Sequence, residues 1–122
     1  MTIRAIEHVQ LAMPPGGEPK AREFYSHLLG IPEIEKPNQL AQRGGCWFED
    51  GDLKIHLGVD SDFRPSRKAH PGLLVDQLGS LVSKLSRAGY QVRDDDAMPG
   101  YHRAYVDDPF GNRIELMERA PH

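Results

Sequence analysis

The sequence lacks the features that would tie it to a secreted, membrane-bound or nucleic-acid-binding protein. It has a single cysteine, Cys46, so no internal disulfide can form, which fits a reducing cytoplasm. No apolar run approaches the length of a membrane-spanning helix. The net charge of -3 and the lack of a basic run argue against nucleic acid and anionic membranes as partners. We therefore expect a cytoplasmic protein with neither kind of partner.

The composition is that of one globular domain. A chain of 122 residues can build one sizeable core but not two, and its apolar fraction of 39% and charged fraction of 27% are ordinary. Cys46 stands on a strand-like stretch beside Trp47 and Phe48. A lone cysteine in such surroundings is more often packed than catalytic, so we expect it in the core.

Hydrophobic periodicity predicts a strand, a helix and three further strands in the first half of the chain. Gly30 is placed to end the helix, and prolines restrict the second strand to an edge position. A polar connector, Asp60–Ala69, follows the last strand. The predicted elements are strand Arg4–Met13, helix Glu18–Leu29, edge strand Ile31–Lys36 and hairpin Gly45–Asp60, which turns at Asp50 and Gly51.

The second half repeats this order of elements. Gly89 is placed to end its helix, and the loop Asp94–Gly100 leads to the last hairpin. The predicted elements are strand His70–Val75, helix Gln77–Ala88, short strand Tyr90–Arg93 and hairpin Arg103–Glu118.

The two halves align residue by residue. EHVQLAM matches AHPGLLV, which sets His8 against His70, and the last hairpins set His56 against Glu115. From the helix-ending glycine to the central residue of the last strand the chain runs 26 residues in both halves. Each half is too small to bury its own sheet face, so we expect the halves to pair, within one chain or across two. The predicted fold is α+β, with two βαβββ modules, residues 1–61 and 62–122, forming a cup-shaped mixed sheet with helices on its outer face.

Strand parity gathers four chemically active side chains on one face. The neighbours of His8, His56, His70 and Glu115 along the strands are mostly apolar, so these four point to the concave face if the apolar residues pack on the helices. Three imidazoles and a carboxylate suit zinc, nickel, manganese or iron. An isolated histidine or glutamate on a sheet surface is unremarkable, but the repeat predicts all four positions together.

The chain resembles the vicinal oxygen chelate superfamily. The resemblance rests on the two-module layout, His8 in EHVQLAM, the helix end FYSHLLGI, His70 at the start of its strand and, most specifically, Glu115 in DPFGNRIELME. It covers nearly the whole chain. This group includes lactoylglutathione lyases, fosfomycin-resistance thiol transferases, methylmalonyl-CoA epimerases, extradiol dioxygenases and bleomycin-binding proteins.

The resemblance implies one divalent metal held at the positions of His8, His70 and Glu115, with His56 at the fourth position. Such a metal chelates neighbouring oxygens of a small substrate and stabilises an anionic, enediolate-like intermediate. Glu115 then serves as ligand and as catalytic base. His56 stands where lactoylglutathione lyases carry a second glutamate, which argues against their full chemistry. Members of this length often combine modules of two subunits, which implies a homodimer.

The resemblance leaves several reaction classes open. A lyase or isomerase comes first, followed by an extradiol-type dioxygenase and a fosfomycin-type thiol transferase. A metal-free drug-binding protein of the bleomycin-resistance type is the alternative from another class.

Further polar and aromatic residues are candidates for contacting an anionic substrate. Packing explains the aromatic ones about equally well, and surface ion pairs explain the arginines nearly as well. The loop before His70, with Phe63, Arg64, Arg67 and Lys68, is a solvated connector by default or a cover for the site. His27, His102 and His122 are not expected to be ligands. The substrate-binding candidates are Trp47, Tyr101, Arg103, Tyr105 and Arg113.

Overall fold

The structure is a computed structural model that describes residues 2–121. The chain divides into two compact units, Met1–Arg64 and Pro65–His122. Both units contain a strand, a helix and three strands in this order, and the first unit has one additional short helix. The predicted α+β class with two βαβββ modules is therefore confirmed.

The first unit forms a four-stranded mixed sheet in the order β1-β4-β3-β2. Strand β1 runs parallel to β4, and the other neighbours are antiparallel. The helix begins as α1 and continues as a π-helix, and a short helix α2 lies between β2 and β3. The elements are β1 Val9–Met13, α1 Glu18–Ala21, the π-helix Arg22–Leu28, β2 Glu33–Ile34, α2 Asn38–Ala41, β3 Cys46–Asp50 and β4 Leu53–Val59.

The core of this unit lies between the sheet and the helix. Phe24 and Tyr25 of the π-helix are fully buried, and the Tyr25 ring stacks on Phe48 with 5.5 Å between centroids. Ile55 and Leu57 of β4 are also buried, which places the apolar face of the predicted hairpin in the core. Cys46 is buried as well, so the predicted core position of this thiol is confirmed.

The second unit repeats the same sheet in the order β5-β8-β7-β6, again with a parallel first pair. The core contains Leu85 of α3 with Val106, Ile114 and Leu116 of the sheet. Gly89 has φ +94° and Gly30 has φ +79°, a backbone region open to glycine, so both end their helices as predicted. The elements are β5 Gly72–Leu74, α3 Leu78–Arg87, β6 Val92–Asp94, β7 Tyr101–Asp107 and β8 Arg113–Arg119.

Several predicted boundaries were wrong. Strand β1 begins at Val9 rather than Arg4, because its ladder with β4 begins at the pair Val9 and Ile55, and the residues before it are exposed. The first hairpin turns at Gly51 and Asp52, one residue later than predicted, since Asp50 still pairs with Leu53. Helix α2 was not predicted.

The strand that follows His70 is also shorter than predicted. Strand β5 covers only Gly72–Leu74, so His70 precedes it rather than lying within it. The two β5 leucines are not part of the buried core, because Leu73 is half-buried and Leu74 is exposed. The predicted strand His70–Val75 was therefore wrong at both ends.

Candidate functional site

The sheet registers place the four predicted ligands at equivalent positions of the two units. Gln10 of β1 pairs with His56 of β4, and Gly72 of β5 pairs with Glu115 of β8. His8 and His70 each lie two residues before the β1 or β5 partner. The alignment of the two halves predicted from the sequence is therefore confirmed at the level of strand pairing.

The aromatic candidates Trp47 and Tyr105 also occupy equivalent positions in the two units. Trp47 pairs with His56 across β3 and β4, and Tyr105 pairs with Glu115 across β7 and β8. Directly opposed residues of an antiparallel pair project to the same face of the sheet. Each unit thus presents an aromatic ring beside its central polar residue.

In the second unit His70 and Glu115 form a close pair. The Nε2 atom of His70 lies 2.8 Å from Oε1 of Glu115. The other ring nitrogen, Nδ1, lies 2.7 Å from the carbonyl oxygen of Lys68. A carbonyl oxygen only accepts hydrogen bonds, so Nδ1 carries a hydrogen and Nε2 is the nitrogen left to face Glu115. The Glu115 side chain is only 9% exposed, which makes this a largely desolvated pair.

Arg103 engages the second oxygen of Glu115. Its Nη1 donates to Oε2 of Glu115 at 3.0 Å and to the hydroxyl of Tyr105 at 3.2 Å. The pKa of the Arg103 guanidinium is raised, chiefly by its hydrogen bond to Glu115. Glu115 therefore has one oxygen facing an imidazole and the other held by a guanidinium.

The remaining candidates of the second unit share this face. The Arg113 guanidinium lies 5.2 Å from the centre of the Tyr105 ring, and the His70 and Tyr105 rings are nearly perpendicular with 5.6 Å between centroids. Tyr101 is farther along the strand, where its hydroxyl accepts a hydrogen bond from Arg119. Tyr105 and Arg113 thus adjoin the His70–Glu115 pair, whereas Tyr101 pairs at the far end of the hairpin.

In the first unit His56 is stacked between two rings. The Trp47 indole lies on one side with 4.0 Å between centroids, and His8 stacks on His56 with 4.3 Å between centroids. Nε2 of His56 lies 2.7 Å from Oε2 of Glu49. Metals bind imidazole in the ring plane, so two stacked rings do not direct their nitrogens at one point. As placed here, His56 is buried and already paired.

His8 is the exposed member of this stack. Its side chain is 41% exposed, and Nδ1 lies 3.6 Å from Oε1 of Glu7. The other oxygen of Glu7 accepts a hydrogen bond from Lys54 at 2.7 Å, which lowers the pKa of the Glu7 carboxyl. His8 is therefore partly exposed to solvent and has a carboxylate nearby.

Sequence reasoning missed three polar partners. Glu49 could have been found from parity, because it lies two residues after Trp47 on the same face and diagonal to His56. The Lys68 carbonyl and the Asp95 side chain, which contacts Arg103 at 3.3 Å, lie in loops. Loop conformation has no periodic signal in the sequence, so these two contacts were not predictable.

The loop before His70 is fixed to the turn between β7 and β8. The backbone N–H of Ser66 donates to Oδ1 of Asn112, and that of Arg113 donates to the Ser66 carbonyl at 2.8 Å. The loop side chains Arg67 and Lys68 are exposed. The loop thus has a defined backbone that carries two solvated cations next to His70.

Three histidines were expected to have no ligand role. His27 and His102 are exposed and lie beside Glu23 and Asp96, respectively. His122 lies outside the described residues.

The structure brings the predicted ligands together in pairs. His8 contacts His56 in the first unit, and His70 contacts Glu115 in the second. Among residues 2–121, no group of three or more His, Cys, Asp or Glu side chains stands close enough to hold a metal ion. The full ligand set of His8, His56, His70 and Glu115 stays a prediction.

Comparison with known families decides the assignment. Residues 6–116 match the Glyoxalase/Bleomycin resistance protein/Dioxygenase superfamily. The chain belongs to this superfamily. The resemblance to vicinal oxygen chelate proteins, stated above from His8, His70 and the DPFGNRIELME segment, is thereby confirmed.

Solved structures of the glyoxalase superfamily share the fold over the whole chain. A protein from Bacillus anthracis assigned to the glyoxalase family is 47% identical, with a TM-score of 0.94 and coverage of 98% of both chains. A glyoxalase/dioxygenase from Nostoc punctiforme is 19% identical, with a TM-score of 0.81 over 98% of this chain and 94% of that one. The fosfomycin resistance protein FosX from Listeria monocytogenes is 14% identical, with a TM-score of 0.78 over 98% and 96%. The last two establish the fold alone.

Two further searches found nothing. No curated protein sequence matches the chain. Within the described residues, 2–121, none of the helices combines the length and the apolar character needed to span a bilayer.

Proposed function

We propose that this glyoxalase superfamily member is a metal-dependent enzyme acting on a small, oxygen-chelating and anionic substrate, with lyase or isomerase chemistry. The observation that supports this most directly is the contact of 2.8 Å between His70 Nε2 and Glu115 Oε1. An imidazole nitrogen and a largely buried carboxylate oxygen face each other. Both belong to the four candidate ligands that the repeat of the two halves located in the sequence.

This pair fits a divalent metal by its chemistry. Imidazole and carboxylate are the usual ligands of zinc, nickel, manganese and iron. The Lys68 carbonyl holds the Nδ1 hydrogen of His70 at 2.7 Å, which fixes the tautomer in which Nε2 can bind a metal. His8 is the sequence-based candidate for a further ligand, whereas the stacked position of His56 favours a supporting role.

When bound, the metal would polarise the substrate oxygens and stabilise developing negative charge. The chain's own residues would bind and orient the substrate. Tyr105 presents its ring beside the His70–Glu115 pair, and the Arg113 guanidinium lies 5.2 Å from the centre of that ring. Arg113 is therefore the favoured residue for an anionic group of the substrate.

Glu115 would also accept the proton that the substrate loses. Its Oε2 already accepts a hydrogen bond from Arg103, whereas Oε1 faces the imidazole. Both oxygens thus have a contact, so Glu115 would have to release one of these contacts to receive the proton. In the first unit, Trp47 is the corresponding aromatic candidate for substrate contact.

The experiment is a metal assay on protein purified without chelators. We expect close to one equivalent of zinc, nickel, manganese or iron per chain, and a large loss in His70→Ala and Glu115→Ala. His27→Ala is the matched control, because His27 is exposed on a helix. Less than about a tenth of an equivalent in the wild type, even after incubation with each metal, would overturn the proposal.

A substrate panel then separates the reaction classes. We expect turnover of a substrate with neighbouring oxygens under anaerobic conditions, as a lyase or isomerase requires no dioxygen. Turnover only in air would favour the dioxygenase alternative, and turnover only with an added thiol would favour the thiol transferase. A chain that binds drugs but no metal would belong to the metal-free class. A homodimer and a cytoplasmic location remain predictions; light scattering tests the first of these.

A further inference from the structure

Arg103 is held by its own unit on almost every side of its guanidinium. Nε donates to the carbonyl of Asp95 at 3.2 Å, and Nη2 lies 3.3 Å from the Asp95 carboxylate. Nη1 contacts the Tyr105 hydroxyl and Oε2 of Glu115. The side chain is only 11% exposed.

These contacts leave Arg103 little capacity for a substrate. A guanidinium has five N–H donors; three are used in hydrogen bonds to Asp95, Tyr105 and Glu115, and Nη2 is in ion-pair contact with the Asp95 carboxylate. Both arginines lie near the Tyr105 ring, at 5.6 Å for Arg103 and 5.2 Å for Arg113, but only Arg103 is also bonded to Glu115 and Asp95. The sequence grouped both arginines as substrate contacts, but their surroundings differ.

We propose that Arg103 is a positioning residue for Glu115. By donating to Oε2 from a guanidinium that Asp95 holds in place, Arg103 turns Oε1 toward Nε2 of His70 and fixes the carboxylate in the orientation that a metal needs. This inference rests on the proposed metal-dependent function, and it deepens that function by naming the residue that presents the ligand.

A purely electrostatic role makes the opposite prediction. Arg103 is a cation within hydrogen-bond distance of Glu115, so its charge opposes the binding of a metal cation. If charge were all that mattered, removing Arg103 would tighten metal binding. If orientation matters more, removing it would weaken binding, as the loss of groups that orient metal ligands commonly does. The direction of the change therefore distinguishes the two roles.

The test is a titration of the metal-free full-length protein with Co²⁺ in competition with a chelator. We expect Arg103→Met to weaken binding by about 10- to 100-fold. Arg103→Lys keeps the charge without the branched contact and should also weaken binding, but less. Arg93→Gln is the matched control, because Arg93 forms an exposed ion pair with Asp107 on the same sheet; it should bind Co²⁺ as the wild type does.

The Co²⁺ absorption spectrum gives a second readout that a change in stability alone would not move. A Glu115 carboxylate released from Arg103 can change how it meets the ion, so the visible bands should differ in shape or intensity between wild type and Arg103→Met. The bands of Arg93→Gln should match those of the wild type. Circular dichroism establishes that each variant is folded.

The outcomes are distinct. Equal or tighter Co²⁺ binding by folded Arg103→Met overturns the positioning role while leaving the proposed function intact. Absence of Co²⁺ binding by the wild type overturns both. If Arg103→Met does not fold, Arg103→Lys decides, and binding equal to that of the wild type would overturn the inference.

Discussion

The indole of Trp47 lies parallel to the imidazole of His56, with 4.0 Å between ring centroids and 4° between ring planes. His8 covers the opposite side of the same imidazole. His56 is 3% exposed and is the middle layer of three rings, so its removal should affect both neighbours.

We expect His56→Ala to lower the free energy of unfolding by about 2–4 kcal/mol, because it leaves a cavity between two rings. The substitution also removes the partner of Glu49 at 2.7 Å. Urea unfolding measures the change, and Trp47, the single tryptophan, reports it by fluorescence. His27→Ala should stay within about 0.5 kcal/mol of the wild type. An equally small effect of His56→Ala would contradict the importance of the stack.

Asn112 holds the turn between β7 and β8. It is fully buried, its Nδ2 donates to Oδ2 of Asp108 at 3.0 Å, and its Oδ1 accepts from the backbone N–H of Ser66. Asn112→Ala removes both of these hydrogen bonds, which should cost about 1–3 kcal/mol of stability. Thermal unfolding measures it, with exposed Asn38→Ala as control. Equal stability of the two variants would show that the turn does not depend on this side chain.

Cys46 should be inert in the folded protein. Burial raises the pKa of its thiol from 9.0 to about 11, so almost no thiolate is present at pH 8. Iodoacetamide at pH 8 should therefore label Cys46 in urea and leave the native chain unlabelled. Rapid labelling of the native chain, measured by mass spectrometry, would refute this.

The same pKa shift predicts a loss of stability in alkali. A thiol whose pKa is raised in the folded state stabilises the fold fully below its unfolded pKa, and this contribution is lost as the pH rises from about 9 through 11. Cys46→Ala should lose less stability than the wild type across that range. Parallel curves of unfolding free energy against pH would rule out a contribution from Cys46.

Glu18 should contribute to stability above its ordinary pKa. The backbone N–H of Gly45 donates to Oε2 of Glu18 at 2.9 Å, and this hydrogen bond is the chief cause of the lowered pKa of the carboxyl. A carboxyl with a lowered pKa stabilises the fold above its unfolded value, here 4.5, and the benefit is lost as the pH falls below it.

Glu18→Gln should therefore be less stable than the wild type at pH 7 and approach it as the pH falls below 4.5. Chemical unfolding at a series of pH values measures the difference. Glu35→Gln, at an exposed position, should be close to the wild type throughout. A constant difference between wild type and Glu18→Gln at every pH would mean that charge at Glu18 is not responsible.

Much of the architecture could be predicted because periodicity and glycine placement act locally. Ile55 and Leu57 flank His56, and the structure buries both, as alternation requires. Gly30 and Gly89 end their helices because few other residues tolerate positive φ. The N-terminal strand was overextended, because residues 4–8 precede the ladder with β4, and Ile6 among them is 78% exposed.

The pairing of the candidate ligands was predictable only in part. The repeat located His8, His56, His70 and Glu115, because equivalent modules place equivalent residues at the same register. The repeat could not predict which side chains these four residues contact. That Arg103 contacts Glu115 while Arg113 stacks on Tyr105 depends on rotamers and on the Asp95 loop, which no sequence period encodes.

Gly72 and Gln10 occupy equivalent strand positions, opposite Glu115 and His56. A Cβ built on Gly72 would lie 3.7 Å from Oε1 of Glu115, in ordinary contact, so hydrogen in place of a side chain leaves a bare stretch of main chain beside that oxygen. The Gln10 side chain instead crosses its own sheet toward Gly58. The repeated module thus carries a side chain at this strand position in the first unit and bare main chain in the second, next to the carboxylate of Glu115.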